Sequence, residues 1–515
     1  MAEREIIFIF AENLSKKHSM ARENENSGCF VVTFPLRTEK WQEDRIDKIL
    51  NLLTVHYHNC QKKLLARYIH LSKTPEFKEV KALGKFGFKK YMTEQGFSEN
   101  GLRKFFYDSS KADSACRNSW DQHGINSRII YLLSDSAWKA WNKKLFEDGK
   151  FIHLDNDVTS FKSRVDSRGN ITGFDYSFTD FTITMKATKP KKHDLFTIPF
   201  EVNRNSEYEL YALGCEVRNI AIVRKQIRGK NKYYVQFTFA GVPYNKGRKM
   251  GTGIVGIDPG PSKIAIVSDN EIRITTLAPS VTKDERAVCR LQHKLDRSRR
   301  ATNPDNYNDD GTIKRGIKLK FEKSNSYKRT QAKLADMQRK LAAKRKIDHN
   351  ILANEIITMG NEFHVENNSF KSMQVRSKET KKNDKGKNLS KKRFGKSLAN
   401  RAPSELLTIL KNKVCQYADG EYVDIPSGVA CTQFDFTNGE FTKHELKERT
   451  ITTSDGFVHD RDALAAFNMR FVHKKKVEGK KKIEKNKENF DLQAMTEAYK
   501  HFCSLEENIK TGKLN

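Results

Sequence analysis

Three acidic side chains stand where apolar segments of this chain end or begin. Asp258 closes the β-branched run at 253–257, Glu366 closes a short run at 363–365, and Asp462 directly precedes the small apolar residues at 463–467. Burying a bare carboxylate is costly, so an acid in such a position needs a partner. A divalent cation with oxygen ligands is a suitable one.

Each acid taken alone also has a simpler explanation. Asp258 could begin the turn at 259–260 and point to water, and Asp462 could cap a helix predicted at 463–471. Two strand ends and a helix start can, however, converge on one edge of a mixed sheet. Carboxylates placed in this way can hold two Mg²⁺ ions roughly 3.5–4 Å apart, an arrangement that hydrolyses phosphodiesters. The set therefore predicts a metal site for phosphodiester hydrolysis, with Asp460 as the alternative to Asp462.

The charge balance predicts a polyanionic partner. The 515 residues include 95 Lys and Arg against 64 Asp and Glu, a formal charge of +31. Nucleic acid is the favoured partner because binding it releases counterions. An acidic membrane surface would require an anchor or a spanning segment, and neither is found. The apolar run at 6–10 is too short for a secretion signal and predicts a first strand.

Cysteine usage favours a reducing compartment. The eight cysteines are scattered without close pairs, and no C-x-x-C motif occurs. This spacing is unlike a disulfide framework or a zinc ribbon. We therefore expect free thiols, the cytosol and no zinc.

The N-terminal half predicts a β domain, at 1–40 and 150–247, interrupted by a helical domain at 41–149. Its clearest element is a hairpin with strands at 219–227 and 232–240 and a turn at 228–231. Tyr233, Tyr234, Phe237 and Phe239 could stack on bases, but the alternating positions favour a core role.

The C-terminal half begins with the Asp258 strand and continues with two basic helices, predicted at 282–300 and 326–359. Their polar faces have two interpretations, a solvated charged surface or a groove that binds along a nucleic-acid backbone. The excess of basic residues favours the groove. The residues chosen for this role are Arg290, Arg297, Arg299, Arg300, Arg339, Lys344 and Arg345. A helix opening at Pro403 and a strand pair at 421–436 follow. The tail at 473–515 predicts a basic extension that is solvated or contacts RNA, with a helix through Met495, Ala498, Phe502 and Leu505.

The motifs GIDPG at 256–260, VE at 365–366 and DRDALAA at 460–466 resemble the three motifs of a RuvC-like nuclease domain. Together with NPDNY at 303–307 and KRFGKS at 392–397, they resemble the transposon-encoded TnpB family and the miniature type V CRISPR effectors. The resemblance is firm from about 250 to 472 and only architectural before that.

The resemblance implies an α+β multidomain fold. It places a ribonuclease-H-like (RuvC) nuclease core at 248–414 and 455–472, and a β-barrel wedge domain interrupted by a helical recognition domain before it. It also implies catalytic and metal-binding roles for Asp258, Glu366 and Asp462, with Mg²⁺ or alternatively Mn²⁺. The implied partners are guide RNA and target DNA, bound by a monomer or by a homodimer on one RNA. The implied location is the prokaryotic cytoplasm, at the nucleoid when bound to DNA.

The chain departs from the family in two places. Relatives usually carry a zinc-binding insert with paired C-x-x-C motifs before the third acid, whereas 415–454 holds only Cys415 and Cys431. We therefore expect a degenerate, metal-free target-nucleic-acid-binding insert. In addition, Leu464 stands where the family usually has Asn, which affects how Asp462 is positioned.

Two alternatives to an RNA-guided DNA endonuclease stay open. One is an RNA-guided DNA-binding protein that does not cut, and the other is a structure-selective nuclease or transposase that needs no RNA. Charge and domain count do not separate a transposon-borne protein from a CRISPR-associated one. The enlarged helical insert favours the latter slightly.

Overall fold

The computed structural model describes residues 28–147, 149–154, 156–165, 170–187, 194–379, 383–384, 386, 391, 394–445, 448–477 and 483–511. The first strand predicted at 6–10 lies outside these residues. The chain divides into two units, at residues 1–246 and 247–515. Both units mix helices and sheets, so the fold is α+β and multidomain, as predicted.

Unit 1 contains two antiparallel sheets. The four-stranded sheet has the order β1-β7-β6-β2 and the three-stranded sheet the order β3-β4-β5. Among the described residues, these strands form two open sheets and no closed barrel, so the barrel expected for this domain is not seen. The strands are β1 (Cys29–Pro35), β2 (Ser160–Arg164), β3 (Phe174–Ser177), β4 (Thr182–Lys186), β5 (Asp194–Pro199), β6 (Val217–Ile227) and β7 (Lys230–Ala240).

The predicted hairpin is confirmed, with a tighter turn than expected. β6 and β7 pair from Val217 with Phe239 to Ile227 with Lys230, and the turn residues Arg228 and Gly229 have positive φ angles of 52° and 77°. Two such residues form the turn that matches the twist of a hairpin. The side chains of Tyr233, Phe237 and Phe239 are buried, which confirms the core role predicted for the alternating aromatics.

Six helices lie between β1 and β2, in the range where helical periodicity predicts them. Asn126 shows how they begin, because its side chain accepts a hydrogen bond from the Ile129 backbone N–H at 3.0 Å and so caps the last of the six. The helices of unit 1 are α1 (Lys40–Leu71), α2 (Pro75–Ala82), α3 (Lys85–Glu94), α4 (Glu99–Lys111), α5 (Ser114–Gln122), α6 (Ser127–Phe146) and, after β5, α7 (Glu207–Leu213).

Unit 2 is built on a five-stranded mixed sheet with the order β10-β9-β8-β11-β12. The first three strands are antiparallel neighbours, whereas β11 runs parallel to both β8 and β12. Two further antiparallel pairs, β13 with β14 and β15 with β16, follow in the chain. The strands are β8 (Ile254–Pro259), β9 (Lys263–Val267), β10 (Ile272–Thr276), β11 (Glu362–Asn367), β12 (Glu421–Pro426), β13 (Phe434–Asp435), β14 (Glu440–Phe441), β15 (Thr450–Thr452) and β16 (Val458–Asp460).

Helices cover both faces of this sheet. One face, with Val255 and Ile257, packs against α9 and α11, and the other packs against α12 and α14. Alternation along the buried strands explains this, since successive side chains point to opposite faces. The helices are α8 (Glu285–Thr302), α9 (Asn325–Ile357), α10 (Gly395–Arg401), α11 (Pro403–Val414), α12 (Arg461–Arg470), α13 (Lys474–Val477) and α14 (Leu492–Lys510).

The structure corrects two predicted segments. The strand pair expected at 421–436 is instead β12, which pairs with β11, and β13, which pairs with β14. The central sheet therefore extends into the range assigned to the insert. The helix predicted in the tail at 473–515 forms as α14, but its Met495, Phe502 and Leu505 are buried, whereas the tail was expected to be solvated or to contact RNA.

Candidate active site

Two parallel strands bring Asp258 and Glu366 together. In the register of β8 and β11, Ile257 pairs with Val365, so the residues that follow lie side by side at the carboxyl ends of both strands. Their carboxyl groups lie close enough to form a hydrogen bond when one of them is protonated. The convergence predicted for the first two acids is therefore what the sheet produces.

Helix α12 brings the third acid to the same place. Asp462 lies near enough to Asp258 for its negative charge to raise the pKa of the Asp258 carboxyl. At the other end of the helix, the Arg470 Nε donates to the Ile254 carbonyl at 3.0 Å. The helix thus runs antiparallel to β8, with its N-terminus over the strand end that carries Asp258.

Asp460, and not Asp462, caps this helix. The Asp460 carboxylate accepts hydrogen bonds from the backbone N–H groups of Asp462 at 2.9 Å and Ala463 at 3.2 Å. The N-cap role considered for Asp462 is therefore wrong, and it belongs to the residue weighed as its alternative. Because Asp460 provides the cap, the Asp462 carboxylate is not needed for this role and bonds to other groups.

The electrostatics of the paired acids follow from burial and crowding. Burial, and then the charges of Glu366 and Asp462, raise the pKa of the Asp258 carboxyl well above its usual range. Burial also raises the pKa of Glu366, opposed by Asn368, whose Nδ2 donates to the Glu366 Oε2 at 2.6 Å. Adjacent carboxylates that share an apolar site resist holding two negative charges. The pair is therefore suited to accept added positive charge.

Two arginines hold Asp462. The Arg461 guanidinium bonds to Asp462 Oδ1 at 2.8 Å, and Arg449 lies 3.4 Å from Oδ2. Across the ranges described, no three His, Cys, Asp or Glu side chains already enclose a point where a metal ion would fit. The three acids are thus gathered at one edge of the sheet, with Glu366 bonded to Asn368 and Asp462 to the two arginines.

The basic helices α8 and α9 form where they are predicted, with the first turn before α8 wound as a 3-10 helix at Pro279–Asp284. Five of the seven chosen cations are engaged within the protein. Arg299 and Arg300 pair with Asp296, and Arg345 with Glu405 at 2.8 Å. Arg339 pairs with Asp336 and Lys344 with Asp284.

Arg290 and Arg297 differ from the other five. Both are exposed, and within the described residues neither forms an ion pair. They are therefore the cations of this set that are most available to an external anion.

Sequence reasoning missed Asn368, Arg461 and Arg449. Arg461 could have been found from its place between Asp460 and Asp462, and Asn368 from its place two residues after Glu366. Arg449 had no local signal, because the β15–β16 hairpin brings it to Asp462 from 13 residues away.

Comparisons with known proteins give structural neighbours only. No protein-family model matches the chain, and no curated protein matches it. Among solved structures, it is similar to the Cas12f1–sgRNA–target DNA complex, with 13% identity, a TM-score of 0.45 and coverage of 87% of this chain and 99% of that one.

A CRISPR–Cas12f ternary complex matches over 91% of this chain and 94% of that one, with 14% identity and a TM-score of 0.25. A Cas12i1 R-loop complex matches with 11% identity and a TM-score of 0.29, where the alignment covers 78% of this chain and 57% of the Cas12i1 chain. No helix in the described ranges is long and apolar enough to cross a membrane.

Proposed function

We propose that this protein is an RNA-guided DNA endonuclease with a RuvC-like nuclease core, related to TnpB and the miniature type V CRISPR effectors. The observation that carries the proposal is the meeting of Asp258, Glu366 and Asp462 at one edge of the mixed sheet. The sheet order of unit 2, with three antiparallel strands followed by two parallel ones, supports the ribonuclease-H-like core that the motif resemblance implies. The motif resemblance and the charge of +31 support a guide RNA and target DNA as partners.

The donor set fits Mg²⁺. Asp258, Glu366 and Asp462 would hold the ions, which favour carboxylate oxygens. When bound, two such ions activate a water molecule and stabilise the leaving oxygen of the phosphodiester. Asn368 orients the Glu366 carboxylate, and Arg461 fixes that of Asp462. The chain's own contribution is therefore to crowd three acids together and to limit their rotation.

The main experiment uses protein expressed with its native flanking DNA. We would sequence the copurifying RNA and test the complex for Mg²⁺-dependent cleavage of a library with randomised flanks. A discrete RNA and guide-dependent cutting are expected. Asp258→Ala should abolish cleavage and leave guide and target binding intact. Full cleavage by that variant would show that the metal site is assigned wrongly.

One alternative function has a specific observation in its favour. Both oxygens of Asp462 lie within ion-pair distance of arginines, which would compete with a metal ion for this carboxylate and so favour a protein that binds its target without cutting. A discrete copurifying RNA without any cleavage would support that function. Cleavage without a discrete RNA would instead support an unguided nuclease.

Substitution of the exposed arginines Arg290 and Arg297 of α8 tests whether this helix binds nucleic acid. We expect the double variant Arg290→Ala, Arg297→Ala to weaken RNA binding and to lower its salt dependence by about two units of slope, about one for each lost phosphate contact. The matched control is Arg339→Ala, which removes a cation already paired with Asp336 and should change the slope less. Equal effects of both variants would argue against a specific role for Arg290 and Arg297.

We also propose that the protein works without zinc. Cys415 and Cys431 are the cysteines of the predicted insert, and the first is exposed while the second is buried. A zinc-free preparation should retain full activity. One zinc ion per chain by metal analysis would contradict this.

A further inference from the structure

The C-terminal helix α14 packs against the helix that carries the third acid. Its Phe502 ring stacks on Phe467 of α12 with ring centroids 4.4 Å apart. Met495 and Leu505 of α14 are buried in the same apolar cluster. Helix α14 therefore packs directly on the helix that carries Asp462.

A polar network is buried inside this packing. Glu506 of α14 is 5% exposed, and its Oε2 lies 2.5 Å from the Nδ1 of His459, which is fully buried. The other ring nitrogen of His459 lies 2.8 Å from the Tyr499 hydroxyl. A carboxylate in such a place is costly unless it is bonded, so packing alone would favour an apolar side chain at this position.

The second oxygen of Glu506 reaches the backbone of the active-site motif. Glu506 Oε1 accepts a hydrogen bond from the Asp460 N–H at 3.0 Å. Asp460 in turn caps α12 by accepting from the N–H groups of Asp462 and Ala463. A continuous path of hydrogen bonds thus runs from Glu506 through Asp460 to the backbone of Asp462.

We propose that Glu506 is a positioning residue for Asp462, acting through Asp460 and His459. It contacts none of the three candidate metal-binding carboxylates, and its role is to fix the backbone from which the third one projects. Partners of this kind, one step removed from a metal ligand, set the ligand's orientation. The proposal rests on the function proposed above, and it makes the tail at 492–510 an obligatory part of the nuclease site.

The test compares three variants of the full chain. Glu506→Ala removes both contacts, whereas Glu506→Gln keeps an oxygen that can accept from the Asp460 N–H. Met495→Ala is the control, because it removes a buried side chain of α14 that lies outside the hydrogen-bond network. The measurements are Mn²⁺ affinity by electron paramagnetic resonance, single-turnover cleavage with saturating guide and target, and hydrogen exchange over 460–464.

We expect Glu506→Ala to weaken Mn²⁺ binding by about 10-fold and to slow cleavage at saturating substrate while target binding is unchanged. The amides at 460–464 should exchange faster. Glu506→Gln should recover most of each loss. Met495→Ala should lower the melting temperature and leave Mn²⁺ affinity and exchange at 460–464 close to those of the wild type.

Wild-type Mn²⁺ affinity and exchange in Glu506→Ala would overturn the proposal, as would equal losses in Met495→Ala. Failure of the proposed function has a different signature. In that case the wild type itself would bind no Mn²⁺ and cut no DNA. Hydrogen exchange at 460–464 would then still decide whether Glu506 holds the start of α12.

Discussion

Gly256 on β8 lies so close to Ala466 on α12 that a methyl group on the glycine would overlap the Ala466 carbonyl oxygen. The contact is one of three along the same line, since Arg470 bonds to Ile254 and Asp462 acts on Asp258. Four helical residues rise about 6 Å, and two strand residues about 6.6 Å. The contacts are therefore evenly spaced along both elements. Because Gly256 has no side chain, α12 can pack closely on β8, which brings Asp462 near Asp258.

This contact predicts a large effect of a small substitution. Gly256→Ala should destabilise unit 2 by about 3 kcal/mol, because the added methyl group meets backbone that cannot turn aside. It should also abolish Mn²⁺ binding by separating α12 from β8. Calorimetric unfolding and Mn²⁺ titration provide the measurements.

The matched control for Gly256→Ala is Gly87→Ala in α3. A methyl group there meets nothing within 4 Å, and alanine favours a helix. This control should be neutral or slightly stabilising. If Gly256→Ala unfolded like the wild type and bound Mn²⁺ normally, the close contact would not control the site.

The crowded carboxylates predict opposite effects of pH and Mg²⁺ on stability. The pKa of Asp258 is raised in the folded protein, so the folded state binds its proton more tightly than the unfolded chain does. In EDTA, stability should therefore fall as pH rises above the ordinary value of 3.8. Asp258→Asn should unfold at a higher temperature than the wild type at pH 7, with a smaller difference at pH 5.

Mg²⁺ should reverse that order. At 100 times its dissociation constant, a bound ion stabilises the wild type by about 2.7 kcal/mol. Asp258→Asn should gain much less. Identical melting temperatures of the wild type in EDTA and in Mg²⁺ would speak against cation binding at these acids.

His56 predicts acid sensitivity in unit 1. Burial lowers its pKa to about 4, with a hydrogen bond to the Phe106 carbonyl opposing the shift and the charge of Lys63 adding to it. Because the unfolded chain takes up the proton first, stability is lost as pH falls from 6.5 toward 4. The loss between pH 7 and pH 5 should be about 2 kcal/mol.

Urea unfolding followed by tryptophan fluorescence measures this effect, because the chain's four tryptophans all lie in unit 1 and Trp120 is 4.9 Å from the His56 ring. His56→Gln keeps a polar side chain that does not titrate. Its stability should change less over the same pH range. An unchanged pH dependence in His56→Gln would show that another group is responsible.

The burial of Leu464 predicts that asparagine, which is usual at this position in the proteins that the motifs resemble, would destabilise this chain. The Leu464 side chain is 3% exposed and belongs to the core cluster around α12. Leu464→Asn should lower the free energy of unfolding by about 2 kcal/mol, since it buries an amide in an apolar setting. Leu464→Met, which keeps an apolar side chain, should cost under about 1.5 kcal/mol. A stable Leu464→Asn variant that cuts faster than the wild type would instead show that Leu464 slows cleavage.

The sequence by itself determined the local features of this protein. Apolar alternation placed Phe237 and Phe239 inside the sheet, and helical periodicity placed the basic helices. The types and positions of Asp258, Glu366 and Asp462 were sufficient to propose one shared site. These features depend on neighbours along the chain, which periodicity and turn chemistry report directly.

Only the tertiary structure decided how distant segments combine. The assignment of the helix cap to Asp460, the entry of β12 into the central sheet and the burial of α14 each depend on contacts between residues far apart in sequence. Glu506 is 46 residues from Asp460, and no local pattern connects them. Contacts of this kind form because packing pairs complementary surfaces, and a sequence read segment by segment does not show which surfaces will meet.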